Sequence, residues 1–275
     1  MRLRILLGCL SLAIGGCSST ATRTDSESSA ALQRVIASDH RSQANRARDA
    51  HRHPRQTLEF FGLQPDWTVV EVWPGSGWYT EILAPYLRER GRLYAAQLDP
   101  AAGDYARGVV EGYRSKLANH PDLYDRVTVT TLAAGSEEAI APAESADLIV
   151  TFRNLHNWMM FGTERDALAQ MHAALKTNGI LGIVEHRGDP KIPQDPKALS
   201  GYVNEAFAIE LIEAAGFELI DRSEVNANPK DTKNYEKGVW TLPPTFAGGD
   251  QDRARYVAIG ESDRFTLKFR KVAKR

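Results

Sequence analysis

The residues best suited to chemistry are concentrated in the stretch Val69-Val70-Glu71-Val72-Trp73-Pro74-Gly75-Ser76-Gly77-Trp78-Tyr79. An apolar, β-branched run leads to Glu71, passes through Pro74 and meets two glycines two apart. Beyond them Tyr79, Ile82, Leu83, Tyr86 and Leu87 recur at helical spacing. Strand, glycine loop and helix in that order leave the first helical N–H groups unpaired and expose backbone with no Cβ to block a ligand. Nucleotide-type binding is the chemistry this suits. An ordinary turn between strand and helix can carry the same two glycines, so the rest of the chain must decide. A second cluster, His51-Arg52-His53-Arg55, offers a His-x-His pair but no third metal ligand at a suitable spacing. It reads as a solvated helix face, a set of caps, or a helix preceding the domain that closes over a ligand site. No metal site is expected.

The elements that must position these residues alternate strand and helix. Pro65-Asp66 turns the chain into the first strand, and Pro85, which cannot donate to Glu81, is expected to kink or end the first helix near Ala84. Strands are expected at Leu93–Asp99, Val127–Leu132, Asp147–Phe152, Ile180–Glu185, Phe217–Ile220 and Arg264–Arg270. Helices are expected at about 101–117, at 164–175 ending on Asn178-Gly179, and at Asn204–Ala215, stopped by Gly216. Such alternation implies an α/β, doubly wound and mostly parallel sheet with helices on both faces. Its ligand crevice lies at the carboxyl ends of the strands.

The 275 residues, 43% hydrophobic and 25% charged, suit one large globular domain or two small ones. Net charge is −1, and −3 once Arg2 and Arg4 are set aside, which disfavours nucleic acid as a partner. Arg2 and Arg4 precede an apolar run, Ile5 to Ile14, too short to span a bilayer comfortably. With Gly15, Gly16 and Cys17 it resembles a bacterial lipoprotein signal. The resemblance implies a signal peptide over 1–16, lipidation of Cys17 and a membrane anchor on the periplasmic side of the envelope. Ser18 in place of Asp points to the outer membrane rather than the inner. Cys9 lies in that leader, so no thiol remains for a disulfide. The Ser/Thr-rich residues after Cys17 read as a flexible tether over 17–30, ahead of a domain over 31–275.

Glu71 to Gly77, a second strand ending in a polar and an acidic residue, Ala146-Asp147-Leu148-Ile149-Val150, and Leu175-Lys176-Thr177-Asn178-Gly179 together resemble a class I S-adenosylmethionine-dependent methyltransferase. The phrases Trp73 to Pro85, Phe152-Arg153-Asn154-Leu155-His156-Asn157-Trp158 and Gly260-Glu261-Ser262-Asp263-Arg264-Phe265 further resemble a bacterial family of exported predicted methyltransferases. That resemblance implies seven strands in the order 3-2-1-4-5-7-6, the seventh antiparallel, with S-adenosylmethionine as cofactor. It implies that Gly75, Ser76 and Gly77 pass under the methionine part and that Glu71 reaches its amino group. Gln97 stands where an acid usually holds the ribose, and Asp99 follows two residues later. Gln lacks the charge and accepts less strongly, so this is a departure. Trp73, in the place of the first glycine, is another, and Ala133-Ala134-Gly135 supply no adenine-contacting acid. The loop after the fourth strand implies His156 as base and Asn154 as a positioning hydrogen bonder, with His186 and Arg187 following the fifth strand. Arg153 suits an acidic acceptor or a cofactor carboxylate. An amino-group methyltransferase signature, Asn-Pro-Pro-aromatic, is absent. Residues 225–263 are too long for a bare connection and read either as a lid or as a packed surface loop. Three functions stay open: a methyltransferase of the envelope acting on a small molecule or lipid, a non-catalytic ligand-binding lipoprotein with the same fold, and a structural envelope protein.

Overall fold

Val69, Val70 and Val72 are all buried, because β1 (Thr68–Val72) is covered on both faces by helices. A computed structural model describes residues 18–272, with side chains described from residue 26 onward. The leader over 1–16 and Cys17 lie outside the described residues. The remaining strands are β2 (Arg92–Gln97), β3 (Val127–Thr131), β4 (Ala146–Phe152), β5 (Leu175–His186), β6 (Phe217–Ser223) and β7 (Arg264–Lys271). Together they form one sheet in the order β3-β2-β1-β4-β5-β7-β6. All pairings are parallel except those of β7 with β5 and β6. The order and the antiparallel seventh strand are those the resemblance implied. The edge strand β6 carries exposed Glu218, Asp221 and Arg222, which protect it against pairing with another chain.

The helices are α1 (Ser18–Ala37), α2 (Gln43–Ala47), α3 (Asp49–Arg52), α4 (Pro54–Phe61), α5 (Thr80–Leu87), α6 (Asp104–Asn119), α7 (Pro121–Tyr124), α8 (Leu155–Phe161), α9 (Glu164–Ala174), α10 (Glu205–Ala214) and α11 (Arg253–Ile259). Two of them correct the sequence reading. Residues 18–30, expected as a tether, belong to α1, whose buried Leu32 and Ile36 dock beside α4 and α5. Ser29 Oγ donates to Glu59 and Tyr86 Oη to the Ser28 carbonyl, so packing further along the helix overrides the local Ser/Thr composition. Helix α5 runs on through Pro85 to Leu87, so of the two outcomes expected, a kink or an end near Ala84, the end is not found. The Glu81 carbonyl that Pro85 cannot serve accepts a 2.7 Å hydrogen bond from His40 Nε2, and His40 Nδ1 accepts from Ser38 Oγ at 2.9 Å.

The short helices α2 and α3 are pinned from below. Arg41 is fully buried, binds Asp49 in bidentate fashion at 2.7 and 2.8 Å, donates to the Ile36 carbonyl and lies 5.0 Å over the Trp78 ring. Phe61 of α4 lies so close to Gly182 of β5 that an added Cβ would sit 2.7 Å from its ring. These contacts fix the N-terminal helices and carry Arg48 and Arg52 toward Glu261, just before β7. The 225–263 segment contains a 3-10 turn at Gly238–Thr241 as well as α11. It is anchored where Tyr202 Oη donates to Asp231 and Asn228 donates to the Ile259 and Glu261 carbonyls.

Candidate functional site

Two neighbouring constellations occupy the carboxyl edge of the sheet. The first is the glycine loop after β1. Trp73, the first residue beyond the strand, has φ 46°, the left-handed region that costs a residue with a Cβ roughly 1–2 kcal/mol. Its N–H holds the Ala96 carbonyl at 2.8 Å, and its indole Nε1 donates to the Leu132 carbonyl at 3.2 Å. Leu132 follows β3, so the ring reaches past the end of β2, and it meets Trp158 edge-on at 5.7 Å. The indole therefore narrows the crevice on its β2–β3 side.

Gly75 has φ 58°, and a Cβ there would meet nothing within 4 Å, so this is the open part of the loop. Gly77 is the closed part: a Cβ would press on Tyr113 and Thr80 at 3.0–3.3 Å. Ser76 is exposed, and its carbonyl accepts from Lys116 Nζ at 3.0 Å. Glu71 is buried and accepts from Thr80 Oγ1 at 2.6 Å. Burial pushes its carboxyl up to about 7 against the opposing pull of the Thr80 hydrogen bond and Lys116. Gln97 is committed at both ends, donating to the Gly75 carbonyl at 2.9 Å and accepting from the Leu98 N–H at 3.2 Å. Asp99 caps the short 3-10 helix Pro100–Ala102 through the Ala101 N–H. The loop thus leaves room for a ligand to approach its backbone at Gly75 and Ser76. It offers no free acid for a ribose at Gln97.

The second constellation is a cavity of about 290 Å³ lined by Arg48, Arg52, Arg153, His156, His186 and Trp240, with Pro243, Pro244, Glu261 and Ser262 among its other walls. Arg153 leaves β4 as Trp73 leaves β1, with φ 62° and its N–H bonded to the next strand, here the Val184 carbonyl at 2.7 Å. Strained backbone of this kind gathers at functional sites. Next to it Asn154 Nδ2 donates to the Val72 carbonyl and to Thr151 Oγ1, both at 3.0 Å. Its amide nitrogen therefore joins the ends of β1 and β4, which leaves only its Oδ1 for the positioning role expected of it.

His156 lies in the first turn of α8, a helix that begins three residues after β4 ends, where the sequence suggested only a loop. Its Nδ1 lies 3.0 Å from Glu185 Oε1 at the end of β5. Glu185 also accepts the N–H groups of His156 and His186, at 3.2 and 2.7 Å. His186 Nδ1 pairs with Ser262 Oγ at 2.5 Å, and the two imidazoles are 5.3 Å apart. Burial, then His156 and the nearby arginines, push His186 well below its ordinary value and keep it neutral. Arg187 stands apart from the cavity, paired with Glu205, Glu224 and Asp263.

On the opposite wall Glu261 receives Arg48 Nε at 2.6 Å, Arg264 Nη1 at 3.0 Å and Arg52 Nε at 3.4 Å. Burial raises this carboxyl, but Arg52, Arg264 and Arg153, with the Arg48 hydrogen bond, outweigh it and hold it at about 2. Arg52 also lies 4.6 Å over Trp78.

Sequence reasoning missed Glu185, Glu261, Ser262, Trp240 and the cavity-facing role of Arg48. The available signal was the phrase Gly260 to Phe265, noted for its resemblance without a role. Among the described residues, the one group of metal-ligating types brought close together is His156, Glu185 and His186, and neither His51 nor His53 belongs to it. A hollow of about 420 Å³, lined by Ser28, Leu32, Glu59 and Tyr86, adjoins residues 62–64 just before β1, at the opposite end of the sheet.

No family model matches the chain, and no curated protein sequence matches it significantly. Solved structures do. A S-adenosylmethionine-dependent methyltransferase from Aquifex aeolicus is 16% identical, with a TM-score of 0.56 over 89% of this chain and 98% of its own. The cyclase SpnF is 18% identical at a TM-score of 0.59, over 92% and 96%. The YcgJ protein of Bacillus subtilis is 14% identical at 0.51, over 82% and 100%. At these identities the likeness is one of fold, and one of the three bearers is a cyclase, so chemistry has to be argued from the site. The chain has the Rossmann-like fold of the S-adenosylmethionine-dependent methyltransferases.

Proposed function

We propose that the chain is a S-adenosylmethionine-dependent methyltransferase whose cofactor lies against the glycine loop and whose acceptor enters the cavity beside His156. The observation that carries this reading is the Glu185–His156 pair on a cavity wall at the carboxyl ends of β4 and β5. Bound at Glu71, Gly75, Ser76 and Gly77, the cofactor would supply a sulfonium methyl group. The protein's part is to align the acceptor and remove its proton. Glu185, a carboxylate, can only accept from His156 Nδ1, which fixes the tautomer and leaves a lone pair on Nε2. Nε2 has no hydrogen-bond partner among the described residues, on a ring that lines the cavity. That is the arrangement of a general base held by a carboxylate. Neutral His186 is the secondary candidate. Ribose would be held by Asp99, or by Gln97 once it releases the Gly75 carbonyl.

One observation favours a second reading, a ligand-binding protein of the same fold without methyl transfer: the Trp73 indole already occupies part of the crevice. Calorimetric titration with S-adenosylmethionine and S-adenosylhomocysteine separates the readings. Saturable one-to-one binding of both is expected. A folded protein that takes up neither would exclude the methyltransferase.

An envelope location anchored through Cys17, with a small molecule or lipid as acceptor, belongs to the same proposal. Its support is the Ile14-Gly15-Gly16-Cys17 pattern and the resemblance of three sequence phrases to the exported family. Palmitate labelling should be lost in Cys17→Ala, and retained labelling would refute the anchor.

A further inference from the structure

Charge in the cavity is unbalanced. Arg48, Arg52 and Arg264 converge on the single carboxylate of Glu261. Arg153, on the same cavity, makes no hydrogen bond or ion pair through its guanidinium with any described residue. Burial and the neighbouring arginines, partly offset by Glu261, lower its pKa to about 10. The one other carboxylate at hand, Glu185, already accepts from His156 Nδ1 and from two backbone N–H groups. That commitment also argues against a cation at His156, Glu185 and His186. The triad's oxygens are taken, and four guanidinium groups stand around it.

We propose that the cavity binds an oxyanion, the carboxylate or phosphate of a compact acceptor, with Arg153 as its main contact and Arg48 and Arg52 beside it. A planar guanidinium suits either group through two parallel N–H bonds. Two features make this more than a basic patch. Arg153 is presented by a strained left-handed residue whose N–H is tied to β5, so its direction is set by the sheet. Trp240 also lines the cavity, 6.1 Å from the His156 ring, and places an apolar surface beside the charge, where the attraction is stronger than in open water. An anion held at Arg153 brings the rest of the acceptor next to His156 Nε2. Identifying that anion as the methyl acceptor rests on the function proposed above, whereas oxyanion binding itself does not.

The test uses the full chain with inorganic phosphate in one arm and succinate in the other, at constant ionic strength. Calorimetry and thermal unfolding are followed for wild type, Arg153→Gln and the exposed control Arg107→Gln. Saturable binding of at least one anion is expected, weakened tenfold or more in Arg153→Gln and unchanged in Arg107→Gln. The arm that binds identifies the source as phosphate or carboxylate. Absence of saturable binding in both arms would overturn the proposal, as would wild-type affinity in a folded Arg153→Gln. Loss of S-adenosylhomocysteine binding in Arg153→Gln with oxyanion binding intact would also overturn it, by assigning the arginine to the cofactor. Oxyanion binding with no S-adenosylhomocysteine uptake by wild type would sink the methyltransferase reading and leave this one standing.

Discussion

The glycine loop and the arginine cavity lie at the ends of adjacent strands, yet they are prepared in opposite ways. At the loop the protein's own groups fill the ligand's places: Gln97 holds the Gly75 carbonyl, Asp99 caps a turn, and Trp73 donates to Leu132. At the cavity the protein holds charge it does not neutralise, with the Arg153 guanidinium unpaired among the described residues. A self-satisfied crevice binds only after it pays for its own hydrogen bonds, while an unsatisfied cavity gains when a counter-ion arrives. Affinity at the loop is therefore expected to be modest and improvable by mutation, and affinity at the cavity to depend on a single side chain.

The largest effect that would break this contrast is at Glu261. Glu261→Gln leaves the buried Arg52 and Arg264 and the half-buried Arg48 without their common carboxylate, and a loss of about 3–5 kcal/mol is expected in urea denaturation. A loss below about 1 kcal/mol would mean the cavity is wet and its charge screened.

Glu71 supplies a pH test of the loop. Its carboxyl is raised from 4.5 to about 7, so the folded state keeps a proton that the unfolded chain releases. The associated stability is fully present below pH 4.5 and is lost as pH rises through 7, a swing of about 3 kcal/mol for a shift of this size. The difference between wild type and Glu71→Gln across that window should show it, and a flat difference would contradict the buried, proton-holding state.

Gln97→Glu removes the donor to Gly75 and should cost about 1–2 kcal/mol in the same denaturation assay. The smallest effect on binding is at Trp73. Trp73→Gly relieves left-handed strain but removes a half-buried indole, its contact with Trp158 and its hydrogen bond to the Leu132 carbonyl, so a net stability loss of about 2–4 kcal/mol is expected. Affinity for S-adenosylhomocysteine should rise about tenfold, or about 1.4 kcal/mol, if the indole is what narrows the crevice. Unchanged affinity would clear Trp73 of that role.

The two regions also differ in how far they could be read from the chain. The strands and helices themselves followed from local signals, since β1 and β4 are largely apolar and β-branched and residues 164–174 have a helical period, while the strand order came only with the family resemblance. Glu71, Gly75 and Gly77 sit within seven residues of one another, so their loop was visible as a unit. The cavity joins residues 48, 52, 153, 156, 186 and 261, whose shared wall exists only once β7 has inserted antiparallel beside β5. Arg153 and His156 were recognisable by type, but Glu185 resembled any strand-ending acid until His156 closed on it. The tether over 17–30 was misread for a related reason: α1 is held by Leu32 and Ile36, downstream of the polar run. That α5 would continue past Pro85 was not legible, because the donor that satisfies the orphaned Glu81 carbonyl, His40, is 41 residues from Glu81 in sequence.

The most direct measurement is a titration of S-adenosylhomocysteine into the protein saturated with whichever oxyanion it binds. Two separate compartments require that the cofactor product bind with unchanged or higher affinity when the cavity is filled. Competition between the two, with apparent affinity falling in proportion to oxyanion concentration, would mean that Arg153 serves the cofactor and that loop and cavity are one site.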